Sequence, residues 1–69
     1  MSDATREDIR RLLKNFGIQA DDAIQAYLDR LPGGIPSIHL RITLEDLTEY
    51  GDEPPVGKLH LEIEGSVRN

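Results

Sequence analysis

Two histidines and one carboxylate are the side chains whose types and spacing could bind a metal ion. His39 and His60 are the only histidines of the sequence, and each lies in a run where polar and apolar residues alternate. Antiparallel pairing of the two runs could bring both rings near Glu62, and two histidines with one carboxylate form a ligand set for transition metals. Histidines on the polar face of a strand are more often solvated or paired with a neighbouring carboxylate. No second shell of supporting residues is visible either, and we predict neither a metal site nor a cofactor.

Adjacent carboxylates are the remaining candidates for acid–base chemistry. The pairs are Asp21–Asp22, Glu45–Asp46 and Asp52–Glu53. Catalytic pairs need burial and partners that drive their two pKa values apart, whereas these pairs fall at a predicted helix start or in a predicted exposed loop. The sequence has no cysteine, and so no thiol nucleophile, disulfide or cysteine-bound zinc. A chain this short buries only about 60% of its unfolded surface, which leaves little core for a catalytic pocket. We predict that the protein is not an enzyme and has no catalytic residues.

A basic stripe is the third feature. Arg6, Arg10 and Lys14 are spaced by four residues, so they share one side of a helix. The stripe is interpreted first as the solvated face of an amphipathic helix. The alternatives are a contact with an acidic protein or with nucleic acid, although the net charge of −5 is unlike that of most nucleic-acid-binding domains.

Two helices are predicted to carry these residues, over about 3–15 and 20–31. Ile9, Leu12, Leu13 and Phe16 repeat at helical spacing, and Ser2, Asp3 or Thr5 is expected to cap the first helix. Gly17 is expected to end that helix in a left-handed conformation, with Gln19 and Asp22 forming a weak capping box for the second. A second stripe of Ile24, Tyr27, Leu28 and Leu31 ends at Pro32-Gly33-Gly34. The short connection predicts a helix hairpin.

Two strands are predicted over about 37–44 and 57–67, because the hydrophobic period changes to two. Ile38, Leu40, Ile42 and Leu44 alternate with polar residues in the first run, and Leu59, Leu61, Ile63 and Val67 do so in the second. Gly65 suggests a bulge or a close approach in the second strand. The predicted fold is α+β, a small ααββ domain with the hairpin packed on a two-stranded antiparallel ribbon. We expect a homodimer to extend this ribbon to four strands.

Length and composition predict a single domain over residues 1–69 and a cytoplasmic location. No stretch approaches the roughly 18–20 apolar residues that span a bilayer, and the charged N-terminal sequence does not resemble a signal peptide. Acidic charge concentrates in the second half, where residues 32–69 carry three basic and seven acidic side chains.

Residues 16–36 resemble the helix pair of RelB/DinJ-type ribbon-helix-helix antitoxins. The matching positions are Phe16, Gly17, Ile18, Ala23, Ile24, Tyr27, Leu28, Gly33, Gly34, Ile35 and Pro36. The resemblance implies a helix-pair scaffold followed by a segment that binds a toxin, here Ile38 to Leu44. The chain departs from the family in starting with a helix, whereas the family starts with a strand that enters the DNA major groove. Gln19 also stands where the family usually has Ser or Thr.

These observations favour a small non-catalytic protein-binding module, a regulator or adaptor. An antitoxin-like or DNA-binding regulator and an acidic nucleic-acid mimic that inhibits an enzyme are the alternatives. The partner is expected to be another protein with a basic surface. The binding surface is expected to be the loop between the strands together with the outer strand face. The predicted loop residues are Glu45, Asp46, Leu47, Glu49, Tyr50, Asp52 and Glu53. The alternative for Leu47 and Tyr50 is that they cap the open end of the core.

Overall fold

One helix followed by a two-stranded antiparallel ribbon makes up the chain. A computed structural model describes every residue from Met1 to Asn69. Helix α1 spans Asp3–Arg30, strand β1 spans Ser37–Glu45 and strand β2 spans His60–Arg68. The chain divides into two units, Met1–Gly34 with the helix and Ile35–Asn69 with the ribbon. The predicted α+β class is confirmed, and the single domain stays a prediction.

Helix α1 begins at the first of its three predicted caps. Ser2 has an extended backbone, and its Oγ accepts a hydrogen bond of 3.1 Å from the Thr5 backbone N–H. This bond satisfies one of the N–H groups that lack a partner at every helix start. Asp3 in the first turn and Arg30 in the last turn complement the helix dipole.

The helix ends at Arg30 because of the proline two residues on. Leu31 has an extended backbone, with φ −76° and ψ 146°, and its N–H donates to the Leu28 carbonyl at 3.2 Å. The Pro32 ring disfavours helical angles at the preceding residue. Gly34 then turns the chain with a φ of 100°, which L-residues with a side chain rarely adopt.

The predicted break at Gly17 is absent, and one continuous helix occupies both predicted helical ranges. Gly17 is helical and not left-handed, and the capping box at Gln19 and Asp22 does not form because both lie inside α1. A glycine inside a helix costs only about 1 kcal/mol relative to alanine, whereas a break leaves several backbone groups without partners. This corrects the prediction of a helix hairpin.

The ribbon pairs β1 with β2 in a regular register from Ser37 opposite Arg68 to Glu45 opposite His60. Because side chains alternate between the two faces of a strand, this register puts apolar residues opposite apolar ones. The apolar face consists of Ile38, Leu40, Ile42, Leu44, Leu61, Ile63, Gly65 and Val67. Strand β1 ends one residue later than predicted, and β2 begins three residues later, at His60.

Gly65 forms neither the predicted bulge nor a close approach. It lies directly opposite Leu40 in an uninterrupted register, and a Cβ atom added there would meet no atom within 4 Å. The gap that it leaves on the apolar face is therefore open.

No residue of the protein has a buried side chain. On the ribbon, Ile38, Leu40 and Val67 are half-buried, whereas Ile42, Leu44, Leu61 and Ile63 keep 39–55% of their surface exposed. Both units thus retain large apolar side chains at the surface.

Candidate protein-binding loop

The loop of residues 46–59 connects the two strands, and a backbone hydrogen bond holds its two ends together. Beyond the last register pair, the Asp46 N–H donates to the Leu59 carbonyl at 3.1 Å. Glu45, assigned to the loop from the sequence, is instead the last residue of β1 and lies opposite His60. Gly51 and Gly57 provide the turns, with φ of 68° and 69°. Residues 46–50 form no helical turn.

Asp46 organises the first part of this loop. Its Oδ1 accepts the Thr48 backbone N–H at 2.9 Å, a turn typical of aspartate, and its Oδ2 accepts the Tyr50 hydroxyl. The hydrogen bonds from Tyr50 and Thr48 favour the carboxylate and lower the pKa of Asp46 to about 2, helped by the positive charge of Lys58. The same bond to Asp46 raises the pKa of Tyr50.

Lys58 completes the cluster from the other side of the loop. Its ammonium group lies 5.7 Å from the centre of the Tyr50 ring, within the range of a cation–π contact. The sequence placed Lys58 in the second strand and did not single out Thr48. Nothing in their spacing indicates that they meet Asp46 and Tyr50, because the loop conformation decides that proximity.

Apolar side chains project from this loop among acidic ones. Leu47 keeps 81% of its surface exposed and Val56 is fully exposed. Leu47 therefore does not cap a core. Glu49, Asp52 and Glu53 are exposed as well and make no hydrogen bond or ion pair within the chain. Apolar and acidic side chains are thus both exposed on a loop whose base is held by the backbone bond from Asp46 to Leu59.

The polar face of the ribbon carries a network in its middle and towards the end that is far from this loop. Glu64 Oε1 accepts from Arg41 Nε at 3.1 Å and from Arg41 Nη2 at 2.8 Å, across the directly opposed register pair. His39 lies 3.5 Å from Glu64 and 3.3 Å from the Ser66 hydroxyl. These side chains form a partly exposed band of alternating charge.

The two histidines do not meet. His39 pairs opposite Ser66 and His60 opposite Glu45, so they stand near opposite ends of the ribbon. His60 Nε2 lies 3.2 Å from Glu62 Oε1, which confirms the expected pairing of each histidine with a neighbouring carboxylate. No three histidine or carboxylate side chains lie together in a way that could hold a metal ion.

None of the predicted carboxylate pairs contains a buried side chain. Asp21 accepts a hydrogen bond of 2.7 Å from the Gln25 amide on the surface of α1. The lowered pKa of Asp46 keeps it ionised, which is the opposite of what a general acid requires.

The basic stripe lies on α1. Arg6, Arg10 and Lys14 are exposed and form no ion pair, whereas Arg11 beside them contacts Asp8 at 3.3 Å. The three cations are therefore available to a negatively charged partner.

The helix is too polar to cross a membrane. Comparison with protein-family models, with curated proteins and with solved structures gives no match to this chain.

Proposed function

We propose that this protein is a small non-catalytic protein-binding module that acts as a regulator or adaptor. The observation that carries the proposal is the absence of any buried side chain in a chain rich in exposed apolar groups. Large contiguous apolar surfaces on a small protein are typical of interaction sites. The most exposed large apolar side chains are those of Val56, Met1, Leu47, Leu12 and Leu59.

The loop of residues 46–59 is the proposed contact for a partner with a basic surface. Leu47, Tyr50 and Val56 supply apolar anchors, and the acidic side chains supply charge that attracts a basic protein. The bonds to Asp46 and the rings of Pro54 and Pro55 restrict the free loop, which reduces the entropy lost on binding.

Paired charge-reversal variants test this choice of surface. The tagged protein is used to capture partners from its native cell, and binding of an identified partner is then measured by calorimetry. We expect Glu49→Lys with Asp52→Lys to weaken binding about tenfold or more, since like charges then face each other. Arg10→Glu with Lys14→Glu is the matched control on α1. If the loop variant stays folded and binds as tightly as the parent while the helix variant loses affinity, the proposed surface is wrong.

Pairing of strand edges between two copies is proposed in addition. A two-stranded ribbon is marginally stable alone, and each strand leaves one edge of N–H and C=O groups without a partner in the ribbon. Edge-to-edge pairing would give a four-stranded sheet and extend the apolar face across both copies. Proline at an edge position, as in Thr43→Pro, removes a backbone donor and is expected to shift the mass measured by light scattering towards the monomer. A parent that is monomeric at high micromolar concentration would exclude the dimer.

An antitoxin-like or DNA-binding regulator is the second candidate, favoured by the unpaired cations Arg6, Arg10 and Lys14. Affinity for duplex DNA that falls steeply with salt would support it. The absence of any shift at low salt would discard it. An acidic nucleic-acid mimic would instead compete with DNA or RNA for its enzyme. Binding of the captured partner is therefore also measured with added nucleic acid, and competition would support the mimic.

A further inference from the structure

The backbone hydrogen bonds of the ribbon decide which residues have free groups at its edges. In an antiparallel ribbon, only every second pair of opposed residues exchanges hydrogen bonds. At one end of the ribbon the Asn69 N–H donates to the Pro36 carbonyl at 2.9 Å, and at the other the Asp46 N–H donates to the Leu59 carbonyl. The even-numbered residues of β1 are therefore bonded to β2. The free edge of β1 carries the N–H and C=O groups of the odd-numbered residues, which are Ser37, His39, Arg41, Thr43 and Glu45.

The polar residues of β1 are self-complementary about Ile42. A two-fold axis perpendicular to the sheet at Ile42 sets His39 of one copy opposite Glu45 of the other, and Arg41 opposite Thr43. These four residues are among those whose backbone groups are free at the edge, so each pair can exchange two hydrogen bonds. No like charges lie directly opposite each other in this register.

The apolar residues match about the same axis. Leu40 of each copy meets Leu44 of the other, and Ile42 meets its own counterpart, at the closer spacing of pairs without hydrogen bonds. Because Ile42 lies opposite Ile63 within the ribbon, the axis generates a row of four isoleucines across both copies. Pairs of β-branched side chains are favourable across neighbouring strands. The two apolar faces thus join on one side of the extended sheet.

Other registers of β1 against itself are less favourable. Centring the axis on Leu40 or Arg41 brings Arg41 opposite another basic side chain, and like charges directly opposite are destabilising. Centring it on Thr43 opposes unlike charges but pairs only residues 41–45, whereas the axis described above pairs residues 39–45. Both the charges and the paired length therefore favour that axis.

The free edge of β2 is less suited to self-pairing. A two-fold axis on Ile63 would set Glu62 opposite Glu64, and an axis on Glu64 would set this residue opposite itself. An axis on Gly65 would set Glu62 opposite Arg68, which is attractive. It would also set Gly65 opposite itself in the middle of the interface, where neither copy has a side chain to pack.

We propose that β1 is the edge through which two copies of this chain pair, antiparallel about a two-fold axis at Ile42. The inference rests on the proposed pairing of strand edges, and it specifies the edge and the register. The resulting sheet has the order β2, β1, β1, β2. The pairing does not depend on the loop of residues 46–59 as a partner site.

Disulfide formation between single-cysteine variants of the full chain tests the register, because the chain has no native cysteine. Ile42→Cys places two cysteines opposite each other with Cα atoms about 4.5 Å apart, within the range of a disulfide. Most of this variant should shift to twice the monomer mass on a gel without reductant. Arg41→Cys or Thr43→Cys alone should not link, because the offset along the strands puts equal positions about 8 Å apart. An equimolar mixture of these two variants should link, since residue 41 faces residue 43.

Ile63→Cys is the matched control, because it lies opposite Ile42 on β2. Three strand spacings, about 14 Å, separate the two copies of this position, so it should not link. Circular dichroism and light scattering of the reduced variants establish that fold and association are retained. If Ile42→Cys itself fails to associate, the mixture of Arg41→Cys and Thr43→Cys decides.

Each other result overturns a defined part of the proposal. Self-linkage of Arg41→Cys or Thr43→Cys would overturn the register. Absence of linkage at Ile42→Cys and in the mixture, with a parent that light scattering shows to be dimeric, would overturn the choice of β1 and leave the dimer standing. A monomeric parent would overturn this inference together with the pairing of strand edges.

Discussion

The Tyr50 hydroxyl donates a hydrogen bond to the Asp46 carboxylate within a loop that has no regular secondary structure. This single contact ties the middle of the loop to the end of β1. It also moves two pKa values in opposite directions, because it stabilises the ionised form of Asp46 and the neutral form of Tyr50. The loop is therefore best ordered where both forms coexist.

The pH dependence of loop order follows from these two shifts. The folded pKa of Asp46, about 2, lies below its ordinary value of 3.8. Its contribution to loop stability is therefore complete above pH 3.8 and is lost as the pH falls towards 2. The pKa of Tyr50 is raised above its ordinary value of 10.0. Its contribution to loop stability is therefore complete below pH 10.0 and is lost as the pH rises through the higher folded pKa. We expect the amide resonances of residues 46–50 to keep their folded shifts between these limits.

Tyr50→Phe removes the hydroxyl and is expected to raise the pKa of Asp46 towards its ordinary value. The bond from the Thr48 N–H remains, so the return is partial. Titration of the Asp46 carboxyl carbon by NMR measures the change. Tyr27→Phe is the control, since Tyr27 lies on α1, where Arg30 contacts its ring. An unchanged Asp46 titration in the Tyr50 variant would show that the hydroxyl does not bind this carboxylate in solution.

The Arg41–Glu64 pair is expected to stabilise the ribbon register modestly. The two residues are directly opposed, and their side chains keep 61% and 49% of their surface exposed, so solvent screens the attraction. A double-mutant cycle with Arg41→Ala and Glu64→Ala should give a coupling of about 0.2–1 kcal/mol that decreases with added salt. Denaturant unfolding of the four proteins provides the measurement. Arg68→Ala serves as control, because Arg68 lies opposite Ser37 and forms no ion pair. The absence of this coupling at low salt would show that the Arg41–Glu64 ion pair does not form in solution.

Gly17→Ala is expected to stabilise α1 by about 1 kcal/mol, because alanine has the higher helix propensity and loses less chain entropy on folding. Gly17 has no positive φ, and an added Cβ atom would meet nothing within 4 Å. Thermal unfolding followed by circular dichroism at 222 nm should show a higher midpoint. Gly34→Ala should lower the midpoint instead, since a φ of 100° strains any residue with a Cβ atom. Destabilisation by Gly17→Ala would indicate that the helix breaks there after all.

Several elements could be predicted from the sequence because their signals lie between neighbouring residues. Ser2 caps the helix start because its hydroxyl reaches an N–H three residues on, and Pro32 fixes the stop because its ring restricts the residue before it. The alternation around Ile42 and Ile63 likewise predicted two strands with one apolar face, which the register confirms. Each of these signals acts between residues only a few positions apart.

The sequence by itself determined the class of each segment, whereas the tertiary structure decided which distant residues meet. Gly17 was expected to end a helix because glycine favours such ends, yet the backbone bonds on both sides outweigh a penalty of about 1 kcal/mol. The stripe from Phe16 through Ala20 to Ile24 keeps one helical phase across Gly17, a signal that indicates continuity. The contact of Lys58 with Tyr50 and the wide separation of His39 from His60 depend on strand register and loop path. Register is set by the pairing of whole strands, because a shift of one residue would turn every apolar side chain to the other face.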